Sequence, residues 1–218
     1  MRKLAFQDEL RGLQNRRYFD AALNSSLNDR NEVHEGALLL MSIYDLQGIN
    51  QRLGFDAADE ILTMAALILK ECAGTMDGTV VARLSGGDFA VMLENISQVE
   101  ADQLADALCL EMMRLHTTGM LDTEQVCHVG FAMYHSGMTY SEILSRSDNA
   151  LQLARTQGVN SWAVYAAHEE TESSLPGRRE WQGIVREAIE YENIVLHAQP
   201  VVSTGDRETL LRRETLSR

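Results

Sequence analysis

The sequence predicts an α+β fold, a mainly antiparallel sheet with helices on its faces, on three observations. The apolar run "ALLLMSIY", bounded by Gly36 and Asp45, is short and reads as a buried strand. "TVVARL" and "FAVML" flank the glycine-containing tip Ser85 to Asp88, which is the pattern of a hairpin. Between these runs lie segments with apolar residues at helical spacing, giving the order helix, strand, helix, helix, hairpin, helix, strand, helix, strand.

Taken in order, residues 1–15 read as a helix ending near "RGLQNRR", with Gly12 as a breaker and Asn15 able to cap the helix that starts at Arg16. That second helix fades into the polar "NSSLNDRNEVHEG". After the first strand a short helix follows Asp45, then a longer one from Asp56 to about Cys72, with Ile61, Met64, Ala65, Leu67 and Ile68 on one face. Beyond the hairpin, Val99 to Leu115 forms a helix striped by Leu104, Leu108, Met112 and Leu115, a core face. "QVCHVGFAMY" is a strand with Gly130 as an interruption. "TYSEILSRSDNALQLARTQG" is a helix whose Thr139 and Glu142 make a capping-box pattern, and "NSWAVYA" is the last strand.

Bulk properties narrow the function. A 218-residue chain with 45% hydrophobic residues can build one full domain and part of a second. The net charge of -13 argues against a phosphate-backbone grip on nucleic acid and against an anionic membrane surface. No apolar run approaches the ~20 residues of a membrane span, and no leader pattern is recognisable. Cys72, Cys109 and Cys127 lack metal-type spacing and read as buried thiols, which suits a reducing cytoplasm. The six histidines are scattered without metal spacing and receive no role; Trp162 and Trp181 read as packing residues.

The polar, charged stretch "AAHEETESSLPGRREW" reads as a linker. The expected organisation is one domain over residues 1–167, with residues 1–15 as the end of an incoming helix, a linker over 168–179, and a second element over 180–218. In that second element "WQGIVREAIEYE" is a helix and "NIVLHAQPVV" a strand.

With "DELRGLQNRR", the hairpin "RLSGGDFAVML" and "SDNALQLARTQGVNSW" in this order, residues 1 to about 167 resemble the GGDEF family of diguanylate cyclases. The tail from about 180, through "HAQPVV" and "RRETLSR", resembles the opening of an EAL domain, whose family binds or hydrolyses cyclic di-GMP. The resemblance implies a GGDEF-type antiparallel-rich sheet with flanking helices, a linker, and an incomplete first piece of a TIM-like EAL barrel. Such a barrel takes ~250 residues, so the EAL-like piece is expected not to bind cyclic di-GMP in the family's way. It would pack on the first domain, swap with a neighbour or stay disordered.

Two registers of the hairpin are conceivable. Reading "GGDF" as the signature with one residue deleted would flip the following side chains or force a bulge, whereas "SGGDF" substituted in place requires neither. In the second register Ser85, Gly86, Gly87, Asp88 and Phe89 hold the five signature positions. The family's reaction is attack of a ribose hydroxyl on an α-phosphate, assisted by metal ions on carboxylates from the first strand and the fourth signature position. Those positions are Ser42 and Asp88 here: Ser42 is neutral, and Asp88 is one methylene short, so the metal site is half lost. Asp45 is expected on the opposite face of the strand, capping the next helix.

The resemblance further assigns guanine contacts to Asn50 and Asp59, a triphosphate contact to Arg155, and a second basic position now held by Val159. The family's inhibitory arginine and aspartate correspond to Met76 and Thr79. In a complete EAL domain Gln199 and Arg218 would contact cyclic di-GMP and Glu214 would hold metal; Glu214-Thr215-Leu216 departs from the name motif by one threonine.

Together these features resemble LapD-like receptors, which implies an inactive GGDEF module joined to an EAL domain on the cytoplasmic side of an inner-membrane protein. It further implies a homodimer fed by an upstream signalling helix and membrane sensor, with a biofilm-type output. No cofactor is required, and magnesium enters only if GTP binds. The alternatives are a GTP-binding regulator of an active EAL phosphodiesterase, and a weak cyclase working through Asp88.

Overall fold

The computed structural model describes residues 13–28, 35–74 and 78–166, and the backbone of 196–202 and 210–217. The chain divides into two compact units, Met1–Glu169 and Glu170–Arg218. In the first, a six-stranded sheet has the order β1-β3-β4-β2-β5-β6. Its strands are β1 (Gln14–Asn15), β2 (Glu35–Ile43), β3 (Val80–Ser85), β4 (Asp88–Glu94), β5 (Cys127–His135) and β6 (Trp162–Val164). The central pairs are antiparallel, while β1 on β3 and β6 on β5 are parallel, so the sheet is mixed.

The helices are α1 (Arg16–Asn28), α2 (Leu46–Leu53), α3 (Phe55–Ala73), α4 (Gln98–Met112), α5 (Arg114–Thr117) and α6 (Tyr140–Gln157). Strand alternation sorts the core onto two faces. Leu39, Met41, Val91 and Phe131 meet α2, α3 and α4 through Ile49, Ile61, Leu69 and Leu108. On the other face Leu38, Leu40, Ala90, Met92 and Ala132 meet α1 and α6. Phe19, Leu23 and Leu27 of α1 recur every four residues on that face, and full burial of each contributes about 1.5–3 kcal/mol.

Several expectations change. Gln14–Asn15 is a strand, and residues 1–12 of the expected first helix lie outside the described residues. Asn15 does cap α1, its side chain accepting from the Tyr18 backbone at 3.1 Å. The helix expected to run to Leu115 breaks at Met113, whose backbone N–H bonds the Leu110 carbonyl three residues back and tightens the turn. Gly130 does not interrupt β5: it pairs with Leu40 in an unbroken ladder. Cys109 and Cys127 are buried, but Cys72 is only half-buried. Trp162 packs against Phe131, with ring centroids 5.9 Å apart; Trp181 lies outside the described residues.

At the hairpin, Ser85 faces Asp88 across the two-residue turn Gly86-Gly87, and Gly86 has φ +51°, a conformation glycine adopts freely. The expectation of a bulge-free hairpin does not hold, because the β3 register shifts between Arg83 and Ser85. The β2–β4 ladder, by contrast, runs unbroken from Gly36↔Glu94 to Ser42↔Asp88.

In the second unit, β7 (Leu196–Val202) and β8 (Leu210–Ser217) form an antiparallel pair whose register sets Gln199 opposite Glu214. The linker 168–179, the helix expected at its C-terminal side and Arg218 lie outside the described residues.

Candidate functional site

The site grows from the end of β2. Ser42 is the next-to-last residue of that strand, flanked by Asp88 of β4 on one side and His128 of β5 on the other. All three continue the face that carries Leu40, Ala90 and Gly130, just beyond the point where the apolar packing of α6 ends. Ser42 and His128 are buried, whereas Asp88 is exposed.

The last turn of α6 closes this row. Helix α6 buries Ile143, Ser147, Ala150, Leu151 and Ala154 against the sheet, and Arg155 follows directly. Its Nη2 donates to the Ser42 hydroxyl at 3.0 Å, and that hydroxyl donates to Asp88 Oδ1 at 2.8 Å. The serine thus uses its one donor on an anion and a lone pair on a cation. Arg155 Nη1 also donates to the Gln152 side chain at 3.3 Å.

His128 is held from the other end of the row. Its Nε2 lies 3.0 Å from the Gly158 carbonyl and 3.4 Å from the Gln125 side-chain nitrogen. Tyr44 meets the imidazole edge-on, with ring centroids 6.3 Å apart. His128 and Tyr44, with Ser42, Ile43, Asp45, Gln125 and Arg155, line a cavity of 260 Å³.

Asp45 lies just past the end of β2 at Ile43 and, like Ile43, borders the same cavity. Its capping role stands: with φ 46° it accepts from the Gly48 backbone at 3.1 Å. Its second oxygen accepts from Arg52 Nη1 at 3.1 Å, and Arg52 also grips Asp122 with Nε and Nη2 at 3.0 and 3.3 Å. Asp122 and then Asp45 push the Arg52 guanidinium pKa up, and Arg52 pulls the Asp122 carboxyl down.

The remaining sequence-derived positions are dispersed. Asn50 is half-buried on α2 and Asp59 exposed on α3; neither lines this cavity. Val159 is exposed. Thr79 keeps a buried hydroxyl without a hydrogen-bond partner, and Met76 lies outside the described residues. A Cβ on Gly87 would lie 3.1 Å from Ile43 Cβ and 3.3 Å from Leu46 Cδ2, close enough that these side chains would have to give by a few tenths of an ångström. His128 and Gln125 were missed in the sequence; the only signal was a histidine placed by alternation on the Gly130 face of β5.

Among the described residues no group of three or more histidine, cysteine or acidic side chains could hold a metal ion. At the hairpin the donors are one carboxylate, one neutral hydroxyl and a guanidinium on that hydroxyl. This set does not fit a divalent cation, which takes several oxygen ligands, carboxylates foremost.

A family model for the diguanylate cyclase GGDEF domain matches residues 5–161. The chain belongs to the GGDEF family. Among its curated relatives is the RNase E specificity factor CsrD of Escherichia coli K12, 26% identical over 208 residues, covering 93% of this chain and 31% of CsrD. The diguanylate cyclase TpbB of Pseudomonas aeruginosa PAO1 is 31% identical over 163 residues, covering 72% of this chain and 37% of TpbB. Among solved structures, Vibrio cholerae LapD S helix-GGDEF-EAL bound to c-di-GMP superposes with a TM-score of 0.70 at 21% identity, over 99% of this chain and 49% of LapD. That likeness shows the fold. The chain spans about a third of the length of these two curated relatives. No helix among the described residues is long and apolar enough to cross a membrane.

Proposed function

We propose that this GGDEF domain does not make cyclic di-GMP and serves as a signalling module in a longer GGDEF-EAL protein. The observation that carries the reading is the hydroxyl of Ser42, held between Asp88 and Arg155 where a second carboxylate would be needed. Condensing two GTP molecules requires cations that neutralise phosphate charge and activate the attacking hydroxyl. Asp45 cannot supply the missing charge without giving up Arg52 and the cap of α2. Family membership alone leaves the activity open, since matched relatives are named as a diguanylate cyclase and as an RNase E specificity factor.

The tail supports the second half of the reading. "HAQPVVS" and "ETL" lie on β7 and the segment after it and on β8, and a GGDEF-EAL chain aligns over 99% of this one. On this reading Gln199, Glu214 and Arg218 belong to a cyclic di-GMP site completed by the rest of an EAL domain. The module works as a homodimer on the cytoplasmic side of an inner membrane, driven by an upstream helix and sensor, with a biofilm-type output. GTP binding is not part of it, because Arg155, the triphosphate position, is engaged by Ser42 and neither Asn50 nor Asp59 lines the cavity beside it.

The test is incubation of the purified protein with GTP and Mg²⁺ or Mn²⁺, with cyclic di-GMP followed by chromatography and GTP binding by calorimetry. Neither product nor binding is expected. Product would overturn the reading; binding without product would replace it with a GTP-sensing regulator.

A further inference from the structure

We propose that Arg155 is the resident cation of this site: relayed through Ser42, its guanidinium balances Asp88, so the domain takes up no divalent metal there. The inference rests on the reading above and deepens it, because it says what the hairpin carboxylate is paired with once the metal chemistry is gone.

Three observations carry it. The unbroken β2–β4 ladder fixes Ser42 opposite Asp88, so the serine hydroxyl reaches the carboxylate at 2.8 Å without any loop rearrangement. Arg155 is anchored by the packing of α6, its neighbour Ala154 being fully buried, and it reaches the same hydroxyl at 3.0 Å. Gly87 leaves no second acidic group on the turn beside Asp88. The row therefore sums to one negative and one positive charge through a neutral hydroxyl. The two charges are linked by two successive hydrogen bonds through the buried Ser42 hydroxyl. A divalent ion entering here would meet Asp88 beside the Arg155 guanidinium, the nearby Asp45 being already held by Arg52 and the cap of α2.

Ser42 is then the residue that decides between the two chemistries. An aspartate in its place would stand beside Asp88 and would itself pair with Arg155; removing Arg155 as well would leave two carboxylates side by side with no counter-charge. Like charges so placed favour a divalent cation.

The test titrates Mn²⁺ alone, without nucleotide, against the full chain and reads free Mn²⁺ by electron paramagnetic resonance. The wild type is expected to leave Mn²⁺ free. The Ser42→Asp/Arg155→Gln variant is expected to bind it at least about tenfold more tightly, the scale of removing one fixed charge and adding another of opposite sign nearby. Wild-type binding as tight as the variant's, or no gain in a folded variant, overturns the proposal. If the double variant does not fold, thermal unfolding of Asp88→Asn, Arg155→Gln and their combination decides. A relay makes the two losses non-additive, and additive losses overturn it. Metal bound by the wild type with no cyclic di-GMP formed would sink this inference alone, while cyclic di-GMP formation would sink the reading beneath it.

Discussion

Gly130 on β5 and Leu151 on α6 meet backbone to backbone: a Cβ on Gly130 would lie 1.9 Å from the Leu151 nitrogen and 2.3 Å from its Cα. No side chain can be moved aside to make room, so the helix itself would have to shift. That helix carries Arg155 one turn further on, and the close approach is what brings the guanidinium down to Ser42. Gly130→Ala should destabilise the domain by about 1–3 kcal/mol or more, as overpacking does. Urea unfolding measures it, and an unchanged midpoint would contradict the close approach.

Asn160 ties the segment before β5 to the turn after α6. At φ 49° its Oδ1 accepts from the Val126 and Cys127 backbones at 2.6 and 3.1 Å, and its Nδ2 donates to the Glu124 carbonyl at 2.6 Å. With a typical contribution of about 1 kcal/mol per bond, Asn160→Ala should cost about 2–3 kcal/mol. Asn160→Asp keeps the one oxygen that accepts both bonds; its other oxygen loses the bond to the Glu124 carbonyl and faces it oxygen to oxygen, and the two retained bonds should still leave its loss the smaller. Equal losses in thermal unfolding would mean that the amide donor, rather than the acceptor, holds the segment.

What the sequence made legible follows from the range of each interaction. The hairpin was readable because turn glycines and alternating strands lie within a dozen residues. The caps at Asn15 and Thr139 were readable for the same reason: Thr139 accepts from the Glu142 backbone at 3.2 Å, although the Glu142 side chain pairs with Arg146 instead of closing the box. The strand Gln14–Asn15 was not, since two residues have no periodicity and their parallel pairing with β3 depends on where α1 packs. Nor could His128 be assigned, because its place beside Ser42 is set by the β2–β5 register, a relation between residues 86 positions apart. Asn50 and Asp59 were picked out by family spacing alone; they lie on α2 and α3, and neither is among the residues lining the cavity at Ser42.

The alkaline limb of stability has identifiable sources in two tyrosines. Burial pushes the Tyr134 phenol up to about 12, and burial together with its hydrogen bond to Asp20 does the same for Tyr140. A phenol whose folded value lies above the unfolded value of about 10 favours the folded state while it stays neutral. That contribution is complete below pH 10 and is lost as the pH rises towards 12. Absorbance at 295 nm should show two of the tyrosines ionising about two units late, and Tyr140→Phe should remove one. Simultaneous ionisation of all tyrosines near pH 10 in the folded protein would refute the assignment.

On the acid side the start of α4 gives the clearest expectation. Ser97 and Glu100 form a reciprocal box: the serine hydroxyl accepts from the Glu100 backbone at 3.3 Å, and Glu100 Oε2 accepts from the Ser97 hydroxyl and backbone at 2.7 and 2.9 Å. The hydroxyl first, then the backbone bond, hold the Glu100 carboxyl below its usual 4.5. A carboxyl depressed in the folded state stabilises above its unfolded value, and that stabilisation disappears as the pH falls through the folded one. Ser97→Ala removes the larger of these causes, together with a cap bond from the Glu100 backbone that does not titrate. The gap between wild type and variant in urea midpoint should therefore be wider at pH 6 than at pH 3 without closing fully. An identical gap at both values would leave the cap intact as a structural feature and show that the Glu100 carboxylate contributes nothing through Ser97.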